Sequence, residues 1–590
     1  MAKRKKKTQP EARRPKDLPA GQRTREAHGK TILTHSIGGL PILNRLLERM
    51  RLKESLERHL PAEDDRTKLD TPRVVALLLK NLLVAREPVY GVAEWARNFG
   101  PELFELCPDQ LDHLNDDRVG RCLDRVFGAL KTNLVMDVVT HVVQEFDVEL
   151  KQLHNDSTTV SFYGDYAAAQ QERTVLGQLV PAITWGHSKA RRPDLKQLLY
   201  ILTVSDDGGV PLYFQTSSGN TVDDTTHQAT WRVLAELVGR PDFVYVADCK
   251  LATTDNLNYI AARGGRFITV LPASRKEDTQ FRARLSEQPE SIDWQVIDQV
   301  VDDEGELCDV LRVCREEHVS KEGYRLLWFH SAAKVETDAA SRARRLQRAI
   351  QKLTDLRQRL SSPRTRFRQR DKVAEAVDKI REAHAVGELL QVQIEERAEE
   401  TYRPASRGRP RPDTKYTRQV RTRFDVTWEI DIEQVKRAAA GDGVFPLITN
   451  LTDWSELDVL RAYKRQPVIE KRFSQFKTDF CVAPVCLKSE TRIVGLLAVY
   501  FFALMVQALL ERELRQAMAK QGVESLPLYP EGRPCKRPTT RRVLDVFEPL
   551  ARHSIALSSS DDFEIFTTEL APIHRMLLKL LRVPDTAYHA

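Results

Sequence analysis

Leu153-His154-Asn155-Asp156-Ser157-Thr158-Thr159-Val160 is the stretch on which the fold turns. It lies within residues 148–162, which read as extended backbone broken by the polar His154-Asn155-Asp156. Residues 198–204 form an apolar β-type run. The turn Asp206-Asp207-Gly208-Gly209 joins it to residues 210–214, and together they read as a β-hairpin. Residues 225–238 have helical spacing, and residues 243–247 are a short buried strand ending at Asp248. Asp255 is placed to cap a helix over 256–263, and residues 267–271 form another strand. Strand, hairpin, helix, strand, helix, strand is an α/β plan on one mixed sheet.

Upstream, residues 32–146 read as helical. Leu40, Leu43, Leu46 and Leu47 recur at helical spacing, as do Val75, Leu78, Leu79 and Leu82. Asn115-Asp116-Asp117 forms a cap before Val119, Cys122, Leu123 and Val126. Downstream, residues 273–440 interrupt the plan. Residues 341–360 are a basic amphipathic helix, with Leu346, Ile350, Leu353 and Leu360 near heptad spacing. With a second helix over 372–396 they predict an antiparallel hairpin whose tip carries Arg364, Arg366, Arg368 and Arg370. Residues 403–423 read as a basic Pro/Gly linker, 423–429 as a strand, and helices resume at Ser455. The expected division is a disordered basic tail (1–30), a helical domain (31–146), and an α/β domain in two parts (147–272 and 441–520). A mainly helical insertion (273–440) and a C-terminal helical region suited to dimerisation (521–590) complete it.

At 590 residues the chain exceeds the size of a single core. With 41% hydrophobic and 30% charged residues it has a soluble globular composition rather than a disordered one. The net +7 is more than accounted for by residues 1–30, which hold eleven Lys/Arg against three Asp/Glu and leave the rest of the chain near neutral. A basic tail on a near-neutral body suits a polyanionic partner, or is simply solvated. Eight cysteines are scattered, and no secretory signal precedes them, which points to reduced thiols in a cytoplasmic protein. Neither Cys308, Cys314 and His318 nor Cys481 and Cys486 have the paired spacing of a structural zinc site. Residues 493–510 are long and apolar enough to span a bilayer, but they contain Gln507 and run straight into a charged segment from Glu511. A buried central helix is the better reading.

Three acidic residues stand at element ends. Asp156 interrupts the first extended run, Asp248 closes the strand Val244-Tyr245-Val246-Ala247, and Glu470 lies in Tyr463-Lys464-Arg465-Gln466-Pro467-Val468-Ile469-Glu470-Lys471-Arg472-Phe473. Any one of them alone reads as a turn cap. Two strand-end carboxylates faced by a helical glutamate, however, can hold two divalent ions, and hard oxygen ligands suit magnesium.

These residues resemble the bacterial insertion-sequence DDE transposases, in the branch with a Tyr-Arg-Glu-Lys type signature. Tyr463, Glu470 and Lys477 match that signature at its spacings. Gln466 stands where the branch has Arg, and Pro467 starts a new helical segment. Gly186-His187-Ser188-Lys189 with Arg192-Pro193-Asp194-Leu195-Lys196-Gln197, Gly219-Asn220 with Asp223, and Asp442-Gly443-Val444-Phe445 with Thr449-Asn450 are also similar. The resemblance covers about residues 35–515. It implies a ribonuclease H-like mixed sheet with flanking helices. Asp156, Asp248 and Glu470 are then the catalytic metal ligands, for Mg2+ with Mn2+ able to substitute. The implied activity is hydrolysis at transposon ends followed by strand transfer. The implied partner is double-stranded DNA, both terminal repeats and target, bound by a homodimer on paired ends. A cytoplasmic, nucleoid-associated location without a membrane follows. Tyr463, Lys464, Arg465, Gln466, Lys471, Arg472 and Lys477 are expected to meet DNA, the cations neutralising its backbone. Asn155 either orients Asp156 by a hydrogen bond or is an ordinary turn residue. Arg407-Gly408-Arg409-Pro410 is a flexible linker or a minor-groove hook. The insertion helix is expected to offer Arg342, Arg344, Arg345, Arg348 and Lys352 to DNA. Two alternatives stay open: a transposase-derived DNA-binding protein without catalysis, and a DDE-type nuclease without strand transfer.

Overall fold

The computed structural model describes residues 25–27, 30–169, 171–189, 191–302, 304–405, 408–409, 411–480, 482, 487–556 and 563–589. They fall into two compact units, one running to Phe267 and resuming at Ala462, the other spanning Ile268–Arg461. Most of the basic tail, Arg407, Pro410, Cys481 and Cys486 lie outside the described residues.

The first unit is organised around the helix Glu490–Lys520. Its most apolar 18-residue window is 94% buried, as expected of a core helix. Helices Thr71–Val84 and Asp116–Ala129 pack on it. Their starts are written locally. Asp70 accepts from Arg73 N at 3.0 Å, and Asn115 accepts from Arg118 N at 2.8 Å. Gly495 permits the contact between the core helix and Asp116–Ala129, because a Cβ there would fall 2.2 Å from the Leu123 carbonyl oxygen.

Beside this core lies the sheet that carries the acidic residues. Its strands are β1 (Gln152–Phe162), β2 (Lys196–Ser205), β3 (Pro211–Ser218) and β4 (Val244–Val246), in the spatial order β3-β2-β1-β4. β2 runs antiparallel to both β1 and β3, and β4 runs parallel to β1. Helix His227–Val238 connects β3 to β4, as the 3.6-residue spacing predicts. The next helix, Thr254–Ala261, is capped by Thr253 rather than Asp255, which sits in its first turn.

The termini depart from expectation. Lys30–Ser36 is a strand paired antiparallel with Ala551–Ala556, which in turn pairs with Phe563–Thr567. Neither the start of the helical domain nor the C-terminal region is purely helical. Each strand is too short for its period to stand out from the helices around it.

The second unit is not mainly helical. Trp294–Val301, Leu307–Cys314, Arg325–Ser331, Val444–Thr449 and Arg266–Val270 form antiparallel neighbours in that order. The predicted basic helix is present as Ala332–Ser361, its Leu346, Leu353, Leu356 and Leu360 buried. Its partner is shorter than expected, Arg370–Ala383, and ends before the left-handed Ala385 (φ +48°). The chain then forms a ribbon of two fifteen-residue strands, Leu390–Pro404 and Tyr416–Ile430, paired from Leu390↔Ile430 to Pro404↔Tyr416. Leu390, Val392, Ile394, Phe424, Val426 and Trp428 bury its base against the two helices. Their period of two outweighs the helix-forming composition of residues 384–396, and most of the predicted linker is strand. Arg342 is no surface cation. It is buried and doubly bonded to Asp442 at 2.6 and 2.7 Å.

Candidate active site

Strand register decides where the first two carboxylates stand. On the parallel pair β1/β4, His154 is matched with Val246. Asp156 lies two residues further along β1 and Asp248 two residues past the end of β4, near enough that the Asp248 charge acts on the Asp156 carboxyl. Asp156 accepts from the Ser157 amide at 2.7 Å, and Asp248 from the Lys250 amide at 3.0 Å. Asn155 faces the other way, as an adjacent strand residue must. Its Oδ1 accepts from Thr203 Oγ1 at 2.8 Å, directly across the β1/β2 ladder. It is a buried cross-strand tie, neither a turn residue nor a support for Asp156.

Glu470 is in the first turn of helix Pro467–Ser474, which begins at the proline as predicted, and its side chain is exposed. The helix is anchored from its opposite face. Arg472 is completely buried and donates to the hairpin-turn carbonyls of Gly208 and Gly209 at 2.7 and 2.9 Å. Lys471 donates to Glu511 of the core helix at 2.7 Å. Both were expected to meet DNA, and both instead hold the Glu470 helix in place. Arg465 is paired with Asp206. Lys464 is exposed and Gln466 half-buried. A π-helical turn, Gln475–Asp479, follows. It buries Gln475 and Phe476 while leaving Lys477 exposed.

Tyr463 lies within the electrostatic reach of all three acids. Burial, reinforced by the negative charges of Asp248, Glu470 and Asp156, pushes its phenol up to about 12. The Asp156 carboxyl is itself raised to about 6 by burial and by Asp248 and Asp223, against Lys189 and the Ser157 amide. Burial and Lys189 lower the Lys477 ammonium, while Asp156 opposes them, which places Lys477 beside both.

Three participants had no assigned role in the sequence. Lys189 donates to Ser157 O and Oγ at 2.8 and 2.6 Å, pairs with Asp223 at 2.9 Å, and lies 3.6 Å from Asp156. Its loop is pressed against the loop leading to Asp223. A Cβ at Gly186 would lie 1.8 Å from Gly219 O, and one at Gly219 would lie 2.1 Å from Gln197 O. Gln197 Nε2 binds both loops, through His187 O at 3.2 Å and Gly219 O at 2.8 Å. The glycines were visible in the sequence, but the contact they permit is tertiary.

Oxygen donors on adjacent strands with a nearby glutamate are the right chemistry for a hard divalent ion. Among the described residues, however, no group of three His, Cys, Asp or Glu side chains is drawn close enough to hold one. Like charges repel, and here the compensating charge beside Asp156 is the Lys189 ammonium.

A family described as a domain of unknown function, DUF4277, matches residues 32–140, the N-terminal helices and the strand before them. The match ends before β1. No curated protein matches the chain.

Proposed function

We propose that the protein is a DNA transposase of the DDE kind, cleaving DNA at element ends and joining it to a target. The observation that carries this reading is the closeness of Asp156, within β1, to Asp248, just past the end of the parallel neighbour β4, with the charges of both and of Glu470 acting on Tyr463. The order β3-β2-β1-β4, with only β2 reversed among β1, β2 and β4, supports a ribonuclease H-like catalytic domain. Asp156, Asp248 and Glu470 would hold magnesium, which when bound supplies charge neutralisation at the attacking and leaving oxygens. Lys189 and Lys477 stand where a phosphate between the carboxylates meets positive charge. Two ends are cut by a homodimer, each chain serving one end.

The open carboxylate cluster favours a second reading, a DNA-binding protein of the same design without catalysis. One assay separates the two. Duplexes carrying the native ends are incubated with the protein and Mg2+ or Mn2+, and free 3′-OH ends and joined products are measured. Cleavage and joined products from the parent, and neither from Asp156→Ala, establish the transposase reading; cleavage without joined products establishes a nuclease. End binding without any product under either ion establishes the non-catalytic reading.

A further inference from the structure

The ribbon in the second unit is longer than the core that supports it. Its inner half is packed on the two helices. None of the residues in the eight outer pairs, Arg397↔Arg423 to Pro404↔Tyr416, is buried. At about 3.4 Å per residue this is an arm of about 27 Å with solvent on both faces. A two-stranded ribbon of this kind is marginal by itself, which argues that it is built to be covered.

The cross-strand pairs show what covers it. Residues directly opposite share a face. One face carries Arg397 and Arg423, Glu399 and Arg421, Thr401 and Gln419, then Arg403 and Thr417. The other carries Tyr402, Tyr416, Val420 and Pro404, with Glu400 paired to Arg418. Near the base the arginines are neutralised internally: Arg397 meets Glu395, and Arg423 meets Glu399. Toward the tip only Arg418 is, by Glu400. Arg403, Arg409, Arg411, Lys415 and Arg421 are exposed and have no ion pair among the described residues. Between Arg403 and Arg421 the sequence has seven Lys/Arg and a single acidic residue, Asp413. A segment that pairs its charges where it is anchored and leaves them open where it projects fits a polyanion.

We propose that this arm lies in the major groove of duplex DNA, its Arg403/Arg421 face and the cationic tip against the phosphates. The B-form major groove admits a two-stranded ribbon, whereas the deep, narrow groove of duplex RNA does not. The proposal rests on the transposase reading for its choice of DNA and deepens it by naming the element that holds the duplex.

The test uses the full chain and the triple variant Arg403→Ala, Lys415→Ala, Arg421→Ala, none of which touches the core or the acidic residues. Binding to a DNA duplex is measured by fluorescence anisotropy across a salt series, alongside guanine N7 protection. Loss of three phosphate contacts should weaken binding at low salt and make the log–log salt slope shallower by about 2.7. N7 protection present with the parent should disappear with the variant. Superimposable salt curves, or duplex RNA competing as well as duplex DNA, would overturn the arm's assignment. Cleavage is scored separately on the same samples. A parent that cleaves while the variant binds identically sinks the arm alone. A parent that never cleaves, yet shows the slope change, sinks the transposase reading and leaves the arm standing.

Discussion

Burial and the negative charges of Asp248 and Asp223 hold the Asp156 carboxyl at about 6, above its ordinary 3.8. Between those values the folded protein keeps a proton that the unfolded chain has released. Stability from this group is therefore lost as pH rises from about 4 to 6, by about 3 kcal/mol. Asp156→Asn removes that loss, so it should melt higher than the parent at pH 7.5 in chelator while abolishing cleavage; an unchanged or lower melting point would contradict the assignment. Ala at Asp248 or Glu470 should also abolish cleavage with end binding kept. Because the carboxylate form is the ligand, the rate should fall off on the acid side, where protons compete with the metal ion for Asp156. Lys189→Met removes the cation that lowers the Asp156 pKa, and should move that limb to higher pH, with Lys189→Arg restoring it partly. A limb that stays put in Lys189→Met would show that the ammonium does not govern Asp156. The three acids stood out in the sequence because Asp248 follows a short apolar strand, Glu470 follows a helix-starting proline, and Asp156 is a charge in an extended run, although the strand runs through Asp156 unbroken rather than ending there. The role of Lys189 was not legible, since it depends on two glycines meeting across loops.

At the level of elements, the charged residues around Glu470 divide by helix face. Lys471 and Arg472 converge on Glu511, which is fully buried in the core helix and also accepts from Gln475 at 3.2 Å and the Thr540 amide at 3.3 Å. Removing one partner from such a cluster leaves uncompensated buried charge. Glu511→Ala should therefore cost about 3–5 kcal/mol in urea denaturation. Arg472→Ala should also destabilise, and its folded fraction should bind DNA with parental salt dependence; a shallower slope would return Arg472 to the DNA surface. A run of basic residues along a helix reads the same whether it faces phosphate or a buried glutamate, which is why the sequence misassigned both. The hairpin, the parallel crossover and the core helix were legible because turn chemistry and hydrophobic period agree there. The ribbon was missed because Glu, Arg and Ala between Arg370 and Glu400 favour helix locally, while only Leu390, Val392 and Ile394 record the period of two.

For the whole molecule, the proposed transposase reading assigns one set of acids to each DNA end, and so two chains to paired ends. Light scattering of the complex on paired ends should give two chains. Mixing parent with Glu470→Ala chain should depress double-end cleavage more steeply than single-end nicking. Strictly parallel loss of both would mean that each chain works alone. The pairing of Lys30–Ser36 with Ala551–Ala556 bears on how such a protein is made. A ribosome delivers the first strand long before its partner, and the Glu511 cluster that fixes the Glu470 helix closes only when Thr540 has emerged. Until then the nascent chain carries an open strand edge and a buried Glu511 short of one donor. A premature stop codon anywhere before Ala551 therefore leaves a chain for the proteases rather than a shortened working protein.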